Sequence, residues 1–269
     1  MREAVKLVFA VVYSFALHLI RKRPCRVILC YHGVKKQSAD NFEKQISYLA
    51  KSRCKVVKAS EVLTAHPDGC SSIVAITFDD AFANVMENAV PILREYGCPA
   101  AVFVPVGNLG KQPCWVLPDK HLNRKEMVMD RQQIAELYSL GFEVFSHTLS
   151  HPMLTKVEDG RLEDELSKSK NLLEEIVGHK ILAVSYPYGA HDRRVCNAAK
   201  QAGYQLGFTI EPCVVDGATN DMRIGRFTIS SQDSLLKLRL KITGAYQVEG
   251  FLRAVKKSLI RYFSFVRAR

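Results

Sequence analysis

The chain lacks several features that would each assign it to a familiar class. An uncharged apolar run near the N-terminus, residues 7–20, has 14 residues, fewer than the roughly 20 that a helix needs to span a bilayer. No Cys-x-x-Cys pair occurs among the eight cysteines, so neither a cysteine zinc site nor a disulfide framework is expected. No repeat, low-complexity segment or nucleic-acid-binding signature is present, and we expect no nucleic-acid partner.

Acidic residues are scarce at both ends of the chain. Residues 1–26 hold six Lys or Arg and one acid, and residues 236–269 hold nine and one. The ends therefore carry +5 and +8 of the net +11, and the middle carries −2. Because both ends are also apolar, an anionic membrane surface is the expected partner. The basic residues that follow the apolar run favour the cytoplasmic side for the downstream domain, so we expect a membrane-associated protein.

These patterns divide the chain into three parts. Residues 1–24 are predicted to form a hydrophobic anchor or interfacial helix, with a peripheral helix packed on the middle domain as the alternative. Residues 25–232 are predicted to form the catalytic domain. Residues 233–269 form a basic extension, in which Tyr246 to Val266 has the apolar face of an amphipathic helix. That helix could lie on a membrane or close the barrel, and its amphipathicity does not distinguish the two.

Strand and helix patterns alternate along the middle of the chain, which indicates an α/β fold with a parallel sheet closed or nearly closed into a barrel. The predicted strands are 26–31, 73–78, 99–106, 142–147, 181–187, 204–210 and 223–229. The predicted helices are 40–51, 84–96, 131–140, 161–177 and 192–202. Leu235 to Ile242 alternates with a strand period, but we favour a helix there.

Two adjacent carboxylates end a buried strand. Residues 73–76 are small, β-branched and uncharged, and the run ends at Asp79 and Asp80. Burying an unpaired carboxylate is very unfavourable, so the pair is expected at the strand end, where α/β folds place their chemistry. Since side chains alternate along a strand, the two acids point in different directions and can take different roles.

A second short strand is followed at once by two histidines. His147 and His151 lie four residues apart on the turn after it. Two imidazoles at this spacing can converge on one metal ion, and with one carboxylate they leave coordination positions open. Lone histidines are more often structural, but this spacing combined with the Asp-Asp pair favours a metal site.

Three stretches in order resemble the motifs of the polysaccharide deacetylase family, the NodB-homology or carbohydrate esterase family 4 group: Thr77–Asp80, Ser146–His151 and Ser185–Gly189. Tyr31–Val34 resembles the opening of the branch that includes bacterial surface-glycan deacetylases. The resemblance covers about residues 26–230. It implies a distorted (β/α)7-type barrel, here with an extra helix at each end, that removes an N-acetyl group from an amino sugar of a surface polysaccharide or a lipid-linked glycan precursor.

The resemblance also implies roles for particular residues. Asp79 would be the general base, and Asp80 would bind a divalent metal together with His147 and His151, with zinc as the first expectation and other divalent ions as alternatives.

The pocket residues follow from the third motif. The backbone N–H of Tyr188 would stabilise the oxyanion, and Tyr186 and Pro187 would wall the sugar pocket. Trp115, the single tryptophan, could stack on a sugar or pack in the core.

The chain departs from the family pattern in three places. Ala81 follows Asp80 where glycine is usual, and the arginine that often precedes the Pro-Tyr motif is absent. Arg226 resembles an arginine that the surface-glycan branch carries on its last strand, and it could orient the base instead. No histidine follows His191, so the late histidine that many members use as general acid is missing. His191 and His32 are candidate substitutes, and His32 lies at the end of the first strand.

The departures leave two alternatives beside the hydrolase. One is a catalytically degenerate member of the fold that binds glycan without cleaving it. The other is a membrane-surface scaffold whose barrel is only a platform. An intact metal triad and base favour the hydrolase, because a scaffold has no need of them.

Overall fold

A computed structural model describes residues 6–8, 10–13, 25–70, 72–115 and 125–248 of the protein. Eight strands form one sheet in which the strand pairs are parallel. They are β1 (Cys25–Tyr31), β2 (Cys54–Val57), β3 (Ser72–Phe78), β4 (Ala101–Val104), β5 (Glu143–Ser146), β6 (Ala183–Ser185), β7 (Leu206–Phe208) and β8 (Phe227–Thr228). Their order is β7-β6-β5-β4-β3-β1-β8, with β2 paired to the first half of β3.

The sheet curls into a barrel whose two edges are connected through one segment. Ile224, three residues before β8, forms a parallel bridge with Phe208 at the end of β7, while Phe227 in β8 pairs with Leu29 in β1. The predicted barrel with a parallel sheet is thus confirmed. The carboxyl ends of its strands all lie at the same rim of the barrel, where the catalytic groups are expected.

Alternation along the strands separates two apolar layers. In β3, Ile73 and Ala75 belong to the barrel interior, and Val74, Ile76 and Phe78 face the surrounding helices. The interior combines small alanines of β3, β4 and β6 with the larger rings of Phe103, Phe145 and Phe208, which is how a small barrel fills its centre.

Within the described residues of 25–248, seven α-helices surround the sheet. They are α1 (Ala39–Lys51), α2 (Ala83–Asn88), α3 (Val90–Glu95), α4 (Arg131–Ser139), α5 (Asp159–Val177), α6 (Arg193–Gln201) and α7 (Leu235–Ile242). Side chains cap several of them, among them Asp130 before α4, Asp192 before α6 and Ser234 before α7. These caps satisfy amides that the first helical turn leaves unbonded.

The structure differs from the sequence prediction in two elements. The short strand β2 was not predicted. The helix predicted over 84–96 is two helices that meet at Ala89, because Pro91 has no N–H to donate and its ring would clash with the preceding turn of a continuous helix. Helix α7 confirms the helical interpretation of its alternating pattern. Its buried face includes Lys241, whose ammonium donates to the Thr228 carbonyl (2.5 Å) and to Asp233 (3.2 Å).

The described parts of both ends pack against the barrel. Residues 6–8 and 10–13 are helical, with Ala10 fully buried and Leu7 and Tyr13 packed on the core. Helix α7 lies against the first residues of β3, where the Ser72 hydroxyl donates to the Ile242 carbonyl (3.0 Å). Within the described ranges, no helix has the length and apolarity to cross a bilayer. Most of the amphipathic segment predicted over 246–266 lies outside the described residues.

Candidate active site

Asp79 lies at the mouth of the barrel and is bound by Arg226. Both oxygens of its carboxylate accept a hydrogen bond from that guanidinium, from Nη1 and Nη2, each at 2.7 Å. Arg226 is fully buried, and its other donors also have acceptors: the Thr209 carbonyl (2.9 Å), the Thr77 hydroxyl (3.2 Å) and the Ser185 hydroxyl (2.7 Å). A bidentate pair of this kind fixes the carboxylate in both position and orientation.

The guanidinium also fixes the charge of Asp79. Burial alone would raise the pKa of this carboxyl. The positive charge and hydrogen bonds of Arg226, together with the nearby imidazoles of His147 and His32, outweigh burial and hold the pKa well below its usual range. Asp79 is therefore ionised at neutral pH and has the charge state of a proton acceptor. The aromatic rings of Phe103 and Phe208 lie 5.0 Å and 5.8 Å from the guanidinium carbon, so apolar rings also border the pair.

Asp80, His147 and His151 form the candidate metal centre. One ligand atom from each of the three lies within 4.8 Å of the other two. The Asp80 Oδ1 atom is 3.3 Å from Nε2 of His151 and 3.7 Å from Nε2 of His147, and all three side chains are buried. Among the described residues, Asp80 Oδ1 accepts no hydrogen bond. A buried carboxylate oxygen in this position, facing two imidazole nitrogens, fits a divalent cation.

His147 is held in the protonation state of a metal ligand. Its Nδ1 lies 2.8 Å from the Ser185 carbonyl oxygen, and donation to that oxygen leaves the Nε2 lone pair directed toward Asp80. Burial lowers the pKa of His147 to about 4, with the nearby carboxylates opposing that shift. The imidazole is therefore neutral at neutral pH.

The backbone around the aspartates and histidines has positive φ angles, which residues other than glycine rarely adopt. Six non-glycine residues of the described chain have a positive φ, and one of them, Asp68, lies elsewhere. Of the other five, Asp80, Thr148, His151 and Tyr188 fall in the three motifs, and Ala81 directly follows the first motif; their φ values lie between 50° and 70°. Strained backbone of this kind clusters at functional sites. It also explains why glycine suits the position of Ala81, since glycine adopts a positive φ without strain.

The two tyrosines of the third motif, Tyr186 and Tyr188, differ in their exposure to solvent. Tyr186 is fully buried, and its hydroxyl donates to the Met222 carbonyl (3.1 Å). Pro187 is buried as well. Tyr186 therefore contributes to the core, and a sugar pocket walled by Tyr186 and Pro187 stays a prediction. The Tyr188 ring is 41% exposed and lies 4.9 Å from the His151 ring, so it is the aromatic ring of the motif that a substrate can reach.

Trp115 and His32 both lie at the site. The Trp115 ring is 9% exposed and is stacked on the imidazole of His151 at 4.5 Å. It therefore packs against a candidate ligand, and stacking of Trp115 on a sugar stays a prediction. His32 follows β1 and is close enough to Asp79 and Asp80 for its charge to lower the pKa of both.

Two polar groups of the site were not predicted from the sequence. Ser185 Oγ accepts from Arg226 and lies 3.4 Å from Asp79 Oδ2. Glu165 in α5 is buried and accepts hydrogen bonds from the loop that carries the histidines. A signal for Glu165 was available, since it falls on the apolar face of α5 with Leu162 and Leu166, where an unpaired acid would be costly.

A parallel barrel with a candidate three-ligand cation site next to an ionised carboxylate is the arrangement found in α/β-barrel hydrolases. The family model for polysaccharide deacetylase matches residues 66–207, more than half of the chain. The chain therefore belongs to the polysaccharide deacetylase family, as the motifs predicted, and is a hydrolase that acts on carbon–nitrogen bonds.

Individual relatives agree with this family assignment. The chain is 28% identical over 204 residues to the poly-beta-1,6-N-acetyl-D-glucosamine N-deacetylase of Staphylococcus aureus, covering 72% of this chain and 67% of the relative. Two solved structures share the fold, each with a TM-score of 0.68. They are the deacetylase PplD of Streptococcus pyogenes in complex with acetate (21% identity, 82% and 99% of the two chains) and IcaB of Ammonifex degensii (22%, 84% and 98%).

Proposed function

We propose that the protein removes N-acetyl groups from the amino sugars of a surface polysaccharide, of the poly-N-acetylglucosamine type, with a divalent cation at Asp80, His147 and His151. The observation that carries the proposal is the convergence of these three side chains within 4.8 Å of one another, directly beside the Asp79–Arg226 pair. The name of the S. aureus relative supports the choice of N-acetylglucosamine polymers. A lipid-linked precursor of such a polymer presents the same N-acetyl group.

A divalent cation at this site supplies Lewis acidity toward the acetyl carbonyl and makes a water molecule more acidic. The residues of the chain supply the rest. Asp79 accepts the proton from the attacking water. Arg226 keeps that carboxylate ionised and fixes its direction. Asp79 Oδ2 is also approached by the hydroxyl of Ser185 and the thiol of Cys30, each at 3.4 Å, so Oδ1 is the less engaged oxygen and the better acceptor.

Two further roles complete the proposal. The backbone N–H of Tyr188 donates to the oxygen on which negative charge develops, and the positive φ of this residue (60°) sets the direction of its peptide groups. His32 donates the proton to the leaving amine. Its support is its position at the end of β1, close to both aspartates.

Acetate release from N-acetylglucosamine oligomers tests the activity. Asp79→Asn and His147→Ala are expected to abolish it, because the first removes the proton acceptor and the second removes a ligand. The matched controls are Asp164→Asn and His66→Ala, which change exposed side chains away from the site, and both should retain full activity. Oligomer binding without acetate release at any metal loading would instead favour a degenerate glycan-binding protein.

We also propose that the ends of the chain hold the enzyme at an anionic membrane, on its cytoplasmic side. The N-terminal helix packs one face on the barrel and leaves a stripe of three valines outside, Val8, Val11 and Val12, which are 62%, 44% and 65% exposed. This spacing places the valines on one helical face, and the net charges of +5 and +8 at the two ends favour anionic lipid.

Vesicle co-sedimentation tests this second proposal. The full chain should sediment with vesicles that contain phosphatidylserine and stay in solution with phosphatidylcholine vesicles. Val8→Asp combined with Val12→Asp should reduce the sedimented fraction. Equal sedimentation with both lipids, or an unchanged fraction for the double variant, would contradict the membrane proposal and leave the hydrolase proposal intact.

A further inference from the structure

The loop from His147 to His151 is held in an unfavourable backbone conformation. Thr148 and His151 have φ values of +67° and +61°, a region that favours glycine and that other residues keep only when their surroundings enforce it. The loop carries two of the three candidate ligands, so whatever enforces its conformation also determines where the imidazoles point.

Glu165 is the main side-chain contact of the middle of this loop. Its Oε2 accepts hydrogen bonds from the amides of Leu149 (3.1 Å) and Ser150 (2.8 Å), and its Oε1 accepts from the Ser150 hydroxyl (2.5 Å). Glu165 is 3% exposed. The cation nearest to it in the described chain, Arg161 Nε, is 3.9 Å away on a largely exposed side chain. The donors of the loop are therefore the groups that stabilise this buried carboxylate.

The opposite side of the loop is fixed by backbone. The Gly107 amide donates to the Leu149 carbonyl (2.8 Å), and the Val106 amide donates to the Thr148 carbonyl (3.3 Å). A Cβ at Gly107 would lie 2.6 Å from the Leu149 carbonyl oxygen, so the two segments are in close contact. The loop is thus held between the turn at Val106–Asn108 and helix α5, and Glu165 is the charged side chain on the helical side.

We propose that Glu165 is a positioning residue that sets the geometry of the metal centre and thereby its affinity for a divalent cation. This inference rests on the proposed function, since it takes Asp80, His147 and His151 as the ligands. Glu165 contacts none of the three. It fixes the two residues immediately before His151, so that the imidazole is directed at Asp80 before any cation arrives. Preorganisation of this kind raises affinity because binding does not have to order the loop.

The test compares cation binding by the full chain after removal of metal with a chelator. Zn²⁺ and Co²⁺ affinities are measured by isothermal titration for the wild type, Glu165→Gln and Glu163→Gln. The glutamine side chain of the first variant keeps the size of glutamate but replaces one acceptor oxygen by a donor that faces other donors. Glu163 lies on the exposed face of the same helix and is the matched control. We expect the Kd of Glu165→Gln to rise by about 10- to 100-fold and that of Glu163→Gln to be unchanged.

Ser150→Ala is a second variant that tests the inference even if Glu165→Gln does not fold. Ser150→Ala removes one of the three hydrogen bonds and keeps the carboxylate, so a smaller increase in Kd in the same direction is expected. A purely structural role for Glu165 would lower the Tm of the metal-free protein and leave Kd as in the wild type, and that result overturns the inference. A wild-type protein that binds neither cation overturns the metal centre itself, and with it the proposed function.

Discussion

Replacing Arg226 by methionine is the perturbation whose consequence the structure defines most fully. Methionine fills part of the space but leaves the Asp79 carboxylate buried without its two hydrogen bonds from the guanidinium. Removing one partner of a buried ion pair typically costs about 3–5 kcal/mol of unfolding free energy. For a chain of this size, that loss lowers Tm by roughly 6–10 °C.

The assay is calorimetric or urea unfolding of the metal-free protein, so that cation binding does not contribute. Arg193→Met, at an exposed position, is the matched control and should stay within about 0.5 kcal/mol of the wild type. Asp79→Asn combined with Arg226→Met removes both charges. We expect the double variant to lose about 1–3 kcal/mol less than the sum of the single variants.

Two results would refute this reasoning. An Arg226→Met variant that unfolds like the wild type would mean that the pair contributes nothing to stability. Additive losses in the double variant would mean that Asp79 and Arg226 do not interact in the folded protein, and Arg226 would then have no part in holding the base.

Three further predictions follow from separate parts of the structure. Removal of metal by a chelator should abolish acetate release, and addition of zinc should restore that activity. Zinc at about 100 times its Kd should also raise the unfolding free energy by about 2.7 kcal/mol. An unfolding free energy that zinc does not change would argue against a bound cation. Gly107→Ala should weaken zinc binding, since its Cβ would lie 2.6 Å from the Leu149 carbonyl, whereas Gly160→Ala, with nothing within 4 Å of its Cβ, should not. Burial alone would raise the pKa of Asp233, but Lys241, Lys237 and the backbone amide of Ser230 together outweigh burial and lower the pKa. This carboxylate therefore stabilises the fold above its unfolded pKa of about 3.9 and loses that contribution as the pH falls below it. The difference in unfolding free energy between the wild type and Asp233→Asn should therefore shrink as the pH is lowered from about 6 to about 3.5, and a constant difference would contradict the assignment.

The sequence predicted the barrel well because hydrophobic periodicity is a local property. The uncharged run at residues 73–78 forms the central strand β3, and the strand predicted at 26–31 forms β1 beside it. The elements that were missed depend on features that periodicity does not carry. Strand β2 has four residues, and Ala89 divides a helix because of a proline two residues later.

In the site, too, local patterns predicted some features and could not predict others. The residue types and spacing of the Asp-Asp and His-x-x-x-His stretches were enough to predict a metal centre, and the three side chains do converge. The direction of the Tyr186 ring could not be predicted, because it depends on the carbonyl of Met222, 36 residues further along the chain. The partners of Arg226 likewise come from β3 and the residue that follows it, from β6, and from the residue that follows β7. No pattern within one segment indicates such a junction.

Acetate release by the metal-stripped protein, measured as zinc is added in increments, tests the central claim most directly. Release should be absent at the start and rise to a plateau at one equivalent of zinc per chain, and Asp79→Asn should take up the same equivalent without releasing acetate. Full release by the stripped protein, or none at any zinc loading, would contradict a single cation held by Asp80, His147 and His151 beside the base.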